Sequence, residues 1–235
     1  MIGPRYFALI PAGGSGSRIR NASPASVPKQ YMSLGHLPML RHVLDTFAAA
    51  SVIEQIYLVV SPEDALIGPL LAAAPSLQRR LTVLHCGGAS RHQSVLNGLQ
   101  TLGDDIDPDD WMLVHDAARP GLTPALIDKL ITAVGDDPVG GLLAVPVADT
   151  VKRADSGRVQ QTVDRTALWT AQTPQMFRFA LLLRALQTAQ NVTDEASAIE
   201  ALGLRPMLVE GSSRNFKVTL PDDVALATAM LKGLP

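Results

Sequence analysis

An apolar run at residues 7–11 leads into Pro11-Ala12-Gly13-Gly14-Ser15-Gly16-Ser17-Arg18. Closely spaced glycines after a strand let backbone N–H groups converge on an anion, and the missing side chains let that anion come close. Arg18 follows with a forked, permanently charged head that matches phosphate oxygens. Lys29, in Val27-Pro28-Lys29-Gln30, supplies the compact point charge that suits a triphosphate. The loop is not a Walker loop, because no Lys-Ser/Thr follows its last glycine. Nor is it a dinucleotide fingerprint, since counting from Gly14 puts the third glycine position on Ile19. Taken singly, the glycines also read as a flexible turn and Lys29 as a solvated surface lysine.

Two further turns carry polar groups. Gly87-Gly88-Ala89-Ser90-Arg91-His92-Gln93-Ser94 follows a second apolar run, and His115-Asp116-Ala117-Ala118-Arg119-Pro120 ends a third. Ligands gather at the carboxyl ends of strands in open α/β sheets. Asp116 at such a position suits a ribose, a second substrate or, through water, a magnesium ion; an ion pair with Arg119 is the plainer alternative. The five histidines show no metal-ligand spacing, and direct metal ligands are unknown at this level. His115 reads as a hydrogen-bonded core residue, and Trp111 and Trp169 read as packing anchors. The single cysteine, Cys86, rules out an internal disulfide, fits a reducing compartment and reads as a buried, inert thiol.

The elements that hold these turns follow from periodicity. Residues 7–11, 56–60, 81–85, 112–115 and 141–146 are continuous apolar runs, the pattern of strands covered on both faces. Residues 40–50, 94–102 and 124–134 repeat apolar positions at i, i+3 and i+4, which predicts helices. Strand alternating with helix implies an α/β fold: a Rossmann-like, mostly parallel sheet flanked by helices. Residues 148–164 are polar and charged and read as a protruding arm, within an excursion at 148–166. Helices are expected at 179–190 and 194–202, edge strands at 208–210 and 216–219, and a last helix from Pro221 to near Lys232. A single domain over 1–235 is the simplest organisation.

Composition narrows the function classes. With 47% hydrophobic residues the 235-residue chain can bury a sizeable core. A net charge of −2 gives no support to nucleic-acid binding. The apolar stretch at 6–10 is too short for a signal-peptide core and no transmembrane run occurs, so a cytoplasmic protein without a membrane partner is expected.

Ala12-Gly13-Gly14-x-Gly16-x-Arg18 followed by Pro28-Lys29-Gln30 resembles the sugar-phosphate nucleotidyltransferases. The segments His115 to Pro120, Asp149-Thr150-Val151-Lys152-Arg153, Ala171-Gln172-Thr173-Pro174-Gln175-Met176-Phe177, Thr193-Asp194-Glu195-Ala196 and Asn215-Phe216-Lys217-Val218-Thr219 narrow the resemblance to the methylerythritol phosphate cytidylyltransferases of isoprenoid synthesis. The resemblance covers nearly the whole chain. It implies CTP and 2-C-methyl-D-erythritol 4-phosphate as substrates, Mg2+ alongside CTP, and a homodimer in which the arm crosses to the partner. It also implies catalytic roles for Arg18, Lys29, Arg165 and Lys217, the last two as a clamp on the acceptor phosphate. Gly14 and Gly16 would cradle the triphosphate, and Ala12 and Gly13 would line the cytosine and ribose. Gly88, Ala89 and Ser94 match positions that read the base. Asp116, Ala117 and Arg119 match substrate-binding positions, and Thr150, Thr173 and Thr193 positions around the acceptor. Thr193 also reads simply as a helix N-cap.

Two departures stand out. The stretch between Arg18 and Lys29 is longer than the family pattern, implying a loop that is mobile until CTP binds. Ala89 stands where an acid is common, which leaves base recognition there to the backbone. The ribitol 5-phosphate cytidylyltransferases share the glycine loop and are the alternative; Ala117-Ala118 and Thr193 to Ala196 favour methylerythritol phosphate. A glycosyltransferase would offer a D-x-D metal site, whereas two alanines follow Asp116. A non-catalytic nucleotide sensor would not need the second cationic clamp.

Overall fold

The computed structural model describes residues 3–14, 27–190 and 192–231. The five continuous apolar runs are all strands: β1 (Tyr6–Pro11), β4 (Ile53–Val59), β5 (Leu81–Leu84), β6 (Trp111–Val114) and β7 (Gly141–Pro146). A short hairpin of β2 (Ser33–Leu34) and β3 (Leu37–Pro38) leads into helix α1 (Met39–Ala49). Helix α1 buries Met39, Leu40, Val43, Leu44 and Phe47 along one face. The short helix α2 (Ile67–Ala72) was not legible in the periodicity. Helix α3 (Arg91–Leu102) begins where the Ser90 hydroxyl accepts from the Gln93 N–H, and α4 (Pro124–Val134) where Thr123 accepts from the Leu126 N–H.

The excursion is a hairpin of β8 (Val151–Asp155) and β9 (Arg158–Val163), separate from the main sheet. It returns through β10 (Trp169–Arg178), a strand that periodicity missed. Helices α5 (Phe179–Thr188) and α6 (Glu195–Ala201) follow, then the edge strand β11 (Met207–Glu210) and helix α7 (Pro221–Leu231). The second expected edge strand, at 216–219, does not form. Its Val218 N–H makes one backbone bond, 2.9 Å to the Ala118 carbonyl, and no ladder follows.

The seven-stranded sheet runs in the order β11-β7-β10-β6-β1-β4-β5. The β1–β4, β1–β6, β4–β5 and β7–β11 pairs are parallel, and β10 is antiparallel to both of its neighbours. The fold is therefore α/β with a mostly parallel sheet. One face packs against α1, α2 and α4 around Phe47, Leu58 and Leu113. The other packs against α3, α5 and α6 around Phe7, Leu99 and Phe177. Trp111 is fully buried beneath the Arg178 guanidinium, whereas Trp169 is 39% exposed and anchors no core. Cys86 is only partly buried, against the second core.

After β1 the chain moves outward to β4 and β5, then crosses back to place β6 on β1's other side. That reversal opens a crevice at the carboxyl ends of β1 and β6. Just past the β6 loop, backbone meets backbone in close contact. Gly121 follows the β6 loop, and a Cβ there would sit 1.9 Å from the Arg214 carbonyl oxygen. Gly121→Ala should therefore force the 212–217 segment away and lower stability by about 2 kcal/mol, read as a shift in the urea midpoint at unchanged m.

Candidate active site

The crevice holds a cleft of about 160 Å3. Ala12, Gly13, Gly14, Lys29, Ser94, Asp116, Ala117 and Lys217 line it, joined by Gln30 and Arg91. Most of the residues proposed for a nucleotide thus share one cavity, although they come from opposite ends of the chain. Arg18 and Gly16 lie outside the described residues, as does the longer loop before Lys29.

The glycine turns meet each other here. A Cβ on Gly13 would lie 3.2 Å from the Gly87 Cα, and one on Gly87 would lie 2.7 Å from the Val60 oxygen. At Gly87 a side chain would have to push backbone aside, and at Gly13 the fit is already tight. The Gln30 amide anchors the first turn by donating to the Ala12 carbonyl at 2.6 Å. The neighbouring Tyr31 hydroxyl donates to Asp64 at 2.8 Å, so the short helical turn that carries Lys29 is fastened at two adjacent residues. In the second turn the Ser94 hydroxyl accepts from the Gly88 N–H at 3.0 Å and donates to the Ser90 carbonyl at 2.9 Å. Ala89 is exposed beside it.

Asp116 is the electrostatic centre. Arg91 Nε donates to its Oδ1 at 2.6 Å, Lys217 Nζ lies 2.8 Å from its Oδ2, and Arg119 Nε lies 3.6 Å from the same oxygen. Burial by itself would raise the carboxyl's pKa, but Arg91 and Lys217 outweigh it and hold Asp116 far below the ordinary range. The strand-end ion pair with Arg119 is therefore only the weakest part of a buried cluster. Arg119 also donates to the Asn215 and Ala171 carbonyls, at 2.8 and 3.2 Å, tying the β6 loop to the Lys217 segment. Lys29 Nζ donates to the Val218 carbonyl, which brings the two lysines into neighbouring positions.

Thr173 stands behind this centre rather than at the cleft wall. The β7–β10 register shifts between Ala171 and Gln175, which turns the Thr173 side chain inward. Its hydroxyl accepts from the Asp116 N–H at 3.0 Å and lies 3.0 Å from His115 Nδ1. His115 Nε2 lies 3.2 Å from the Arg119 carbonyl, which can only accept, so Nε2 carries the proton and Nδ1 receives the Thr173 proton. His115 is fully buried against Phe47, as its reading as a core residue requires.

The remaining acceptor-side residues lie apart from the cleft in this chain. Thr150 and Arg165 are exposed at the base of the arm, where the Arg165 guanidinium donates to the Ala148 carbonyl. Thr193 is exposed and is not the cap of α6; Asp194 is, through a capping box with Ser197. The sequence reading missed Arg91, Glu195, Gln30 and Gln175. Arg91 sends its two terminal nitrogens to the Glu195 carboxylate at 2.7 and 2.9 Å. Gln175 bonds Asp194 and the Ala196 N–H, at 2.8 and 2.7 Å, and so docks the start of α6 onto β10.

Burial pushes the His115 pKa down to about 4 from 6.5. A depressed folded pKa means that the unfolded chain binds the extra proton between those values. Stability is then full above pH 6.5 and falls as the pH drops toward 4. Urea unfolding should lose roughly 2 kcal/mol from this group between pH 7 and pH 5, and His115→Gln should remove that loss. An equally steep pH dependence in the variant would contradict the assignment.

Comparison with known proteins points to one family. The family profile described as 2-C-methyl-D-erythritol 4-phosphate cytidylyltransferase matches residues 6–233. A relative of that name from Ralstonia nicotianae is 55% identical, with 98% of this chain and 93% of the relative covered. Another from Aromatoleum aromaticum is 51% identical, with 97% and 96% covered. A crystal structure of 4-diphosphocytidyl-2C-methyl-D-erythritol synthase superposes with a TM-score of 0.86 at 41% identity, covering 98% of this chain and 100% of that one. The cytidylyltransferase from Thermus thermophilus gives 0.76 at 29% identity, covering 96% and 98%. The chain belongs to the 2-C-methyl-D-erythritol 4-phosphate cytidylyltransferase family.

Proposed function

We propose that the chain transfers the cytidylyl group of CTP to 2-C-methyl-D-erythritol 4-phosphate and releases pyrophosphate. The observation that carries this reading is the meeting of Lys29, Lys217 and the first glycine turn in one cleft at the sheet's crossover point. A phosphate oxygen of the acceptor attacks the α-phosphorus of CTP, a new P–O bond forms, and the bond to pyrophosphate breaks. The attacking group is already ionised near neutral pH, so no general base is required. The work lies in bringing two anions together and in stabilising the charge that develops between them.

Backbone N–H groups at Gly14 and the Lys29 ammonium face the triphosphate in this scheme, with Arg18 and Gly16 as further partners. Lys217, oriented by Asp116, meets the acceptor phosphate, and Arg165 completes its clamp. Ala12, Gly13, Gly88, Ala89 and Ser94 surround the nucleoside, where backbone carbonyls read the cytosine amino group. A divalent cation such as Mg2+, bound with the triphosphate, would supply neutralisation of phosphate charge. Among the described residues no group of three or more His, Cys, Asp or Glu side chains is placed to hold a metal. Both Asp116 oxygens are engaged by cations, so the donor set fits an ion carried mainly by phosphates and water.

The arm supports a homodimer as part of the same proposal. Val159 is 64% exposed and Trp169 39%, and Thr150 and Arg165 at the arm's base are not among the described residues that line the cleft of their own chain. A partner's cleft would give them their acceptor contacts. No helix among the described residues is long and apolar enough to cross a membrane.

Pyrophosphate release should require CTP together with methylerythritol phosphate and should fail with UTP or ATP. Turnover with ribitol 5-phosphate alone would overturn the choice of acceptor. Lys217→Met should lower kcat by on the order of 10²-fold or more at saturating CTP. Unchanged kcat would remove Lys217 from the mechanism.

A further inference from the structure

Arg91 has three nitrogens that can donate, and the cluster assigns each of them. Nε goes to Asp116 Oδ1, while the two terminal nitrogens go to Oε1 and Oε2 of Glu195. Glu195 is almost wholly buried at the first position of α6, and Gln175 and the Asp194 capping box fix that position. The fork–fork pairing with Glu195 is the stronger geometry open to a guanidinium. In this pose Asp116 accepts from Arg91 at Nε alone, although each terminal nitrogen keeps a second hydrogen. Asp116 Oδ2 is bonded by Lys217, 2.8 Å away, with Arg119 Nε more distant at 3.6 Å.

The alternative arrangement is simple to state. Without a carboxylate at 195, Arg91 would turn its fork toward Asp116 and engage both oxygens. Lys217 would then lose its partner and its fixed position at the cleft. Among the described residues, the carboxylates bonded to Arg91 are Asp116 and Glu195. Nothing else within that set competes for the fork.

We propose that Glu195 is a positioning residue: by fixing the Arg91 guanidinium so that only its Nε faces Asp116, it leaves Oδ2 of Asp116 to Lys217 and so sets the Lys217 ammonium for catalysis. Glu195 touches neither substrate in this scheme and acts through Arg91 and Asp116. The inference rests on the proposed reaction, because its readout is the turnover that Lys217 supports.

The test is steady-state cytidylyl transfer by the full chain at a temperature where each variant is folded by circular dichroism. Glu195→Gln keeps the side chain's size but removes its charge. It should lower kcat at least tenfold while KM for CTP stays within threefold. Glu195→Asp, which keeps the charge on a shorter stem, should recover part of that loss and also covers the case in which Glu195→Gln does not fold. The double variant Glu195→Gln with Lys217→Met should lose no more than Lys217→Met alone, because both changes disable the same group. A Glu195→Gln kcat within twofold of the parent would overturn the proposal, and so would losses that multiply in the double variant. Absence of any turnover by the parent chain with CTP and methylerythritol phosphate is a different result and would overturn the reaction itself.

Discussion

One buried carboxylate organises the whole cleft. Asp116 sits where β6 ends, and three cations from three separate parts of the chain converge on it. Isolated, each of these charges would resist burial; together they form a cluster whose members are costly to remove singly. Their number also matters for function. Arg91, Arg119 and Lys217 carry more positive charge than Asp116 and Glu195 cancel, and Lys29 adds to the excess. The cleft is therefore electrically prepared for an anionic ligand before one arrives.

The fold supplies what Asp116 needs in layers. The sheet crossover puts the β1 and β6 ends side by side, with the His115 N–H bonded to the Leu9 carbonyl at 3.0 Å. Behind Asp116, Thr173 and His115 form a chain of hydrogen bonds with one permitted direction. Because burial keeps His115 neutral, that direction does not reverse near neutral pH. The carboxylate's backbone is thus held from below while its oxygens are held from the sides.

Much of this was legible in the amino-acid order, and the exceptions have physical causes. The parallel strands announce themselves because burial on both faces demands unbroken apolar runs. β10 escaped notice because Gln172, Thr173, Pro174 and Gln175 interrupt its apolar character. Those buried polar groups find partners in Ser212, His115 and Asp194, which only the folded chain brings near. Residues 216–219 erred the other way: their apolar character suggested a strand, yet no neighbour offers them a ladder. Lys29 was found because a lysine behind a proline, downstream of a glycine turn, carries a local signal, whereas Lys217 was found only through the resemblance of Asn215 to Thr219 to a family motif. Arg91 and Glu195 were not, since a pair separated by 104 residues leaves no trace in spacing.

The antiparallel return of β10 has a consequence for how such a chain can vary. Pro146 pairs directly with Trp169, and the Val147 N–H meets the Leu168 carbonyl at 3.0 Å, so the excursion is zipped shut at its root. Everything beyond that closure is a self-contained appendage. Its length, twist or sequence can drift, or be traded for another, without altering the alignment of a single strand beneath the cleft. Change in the appendage is in that sense mechanically insulated from the strands, though not from the acceptor contacts proposed for Thr150 and Arg165.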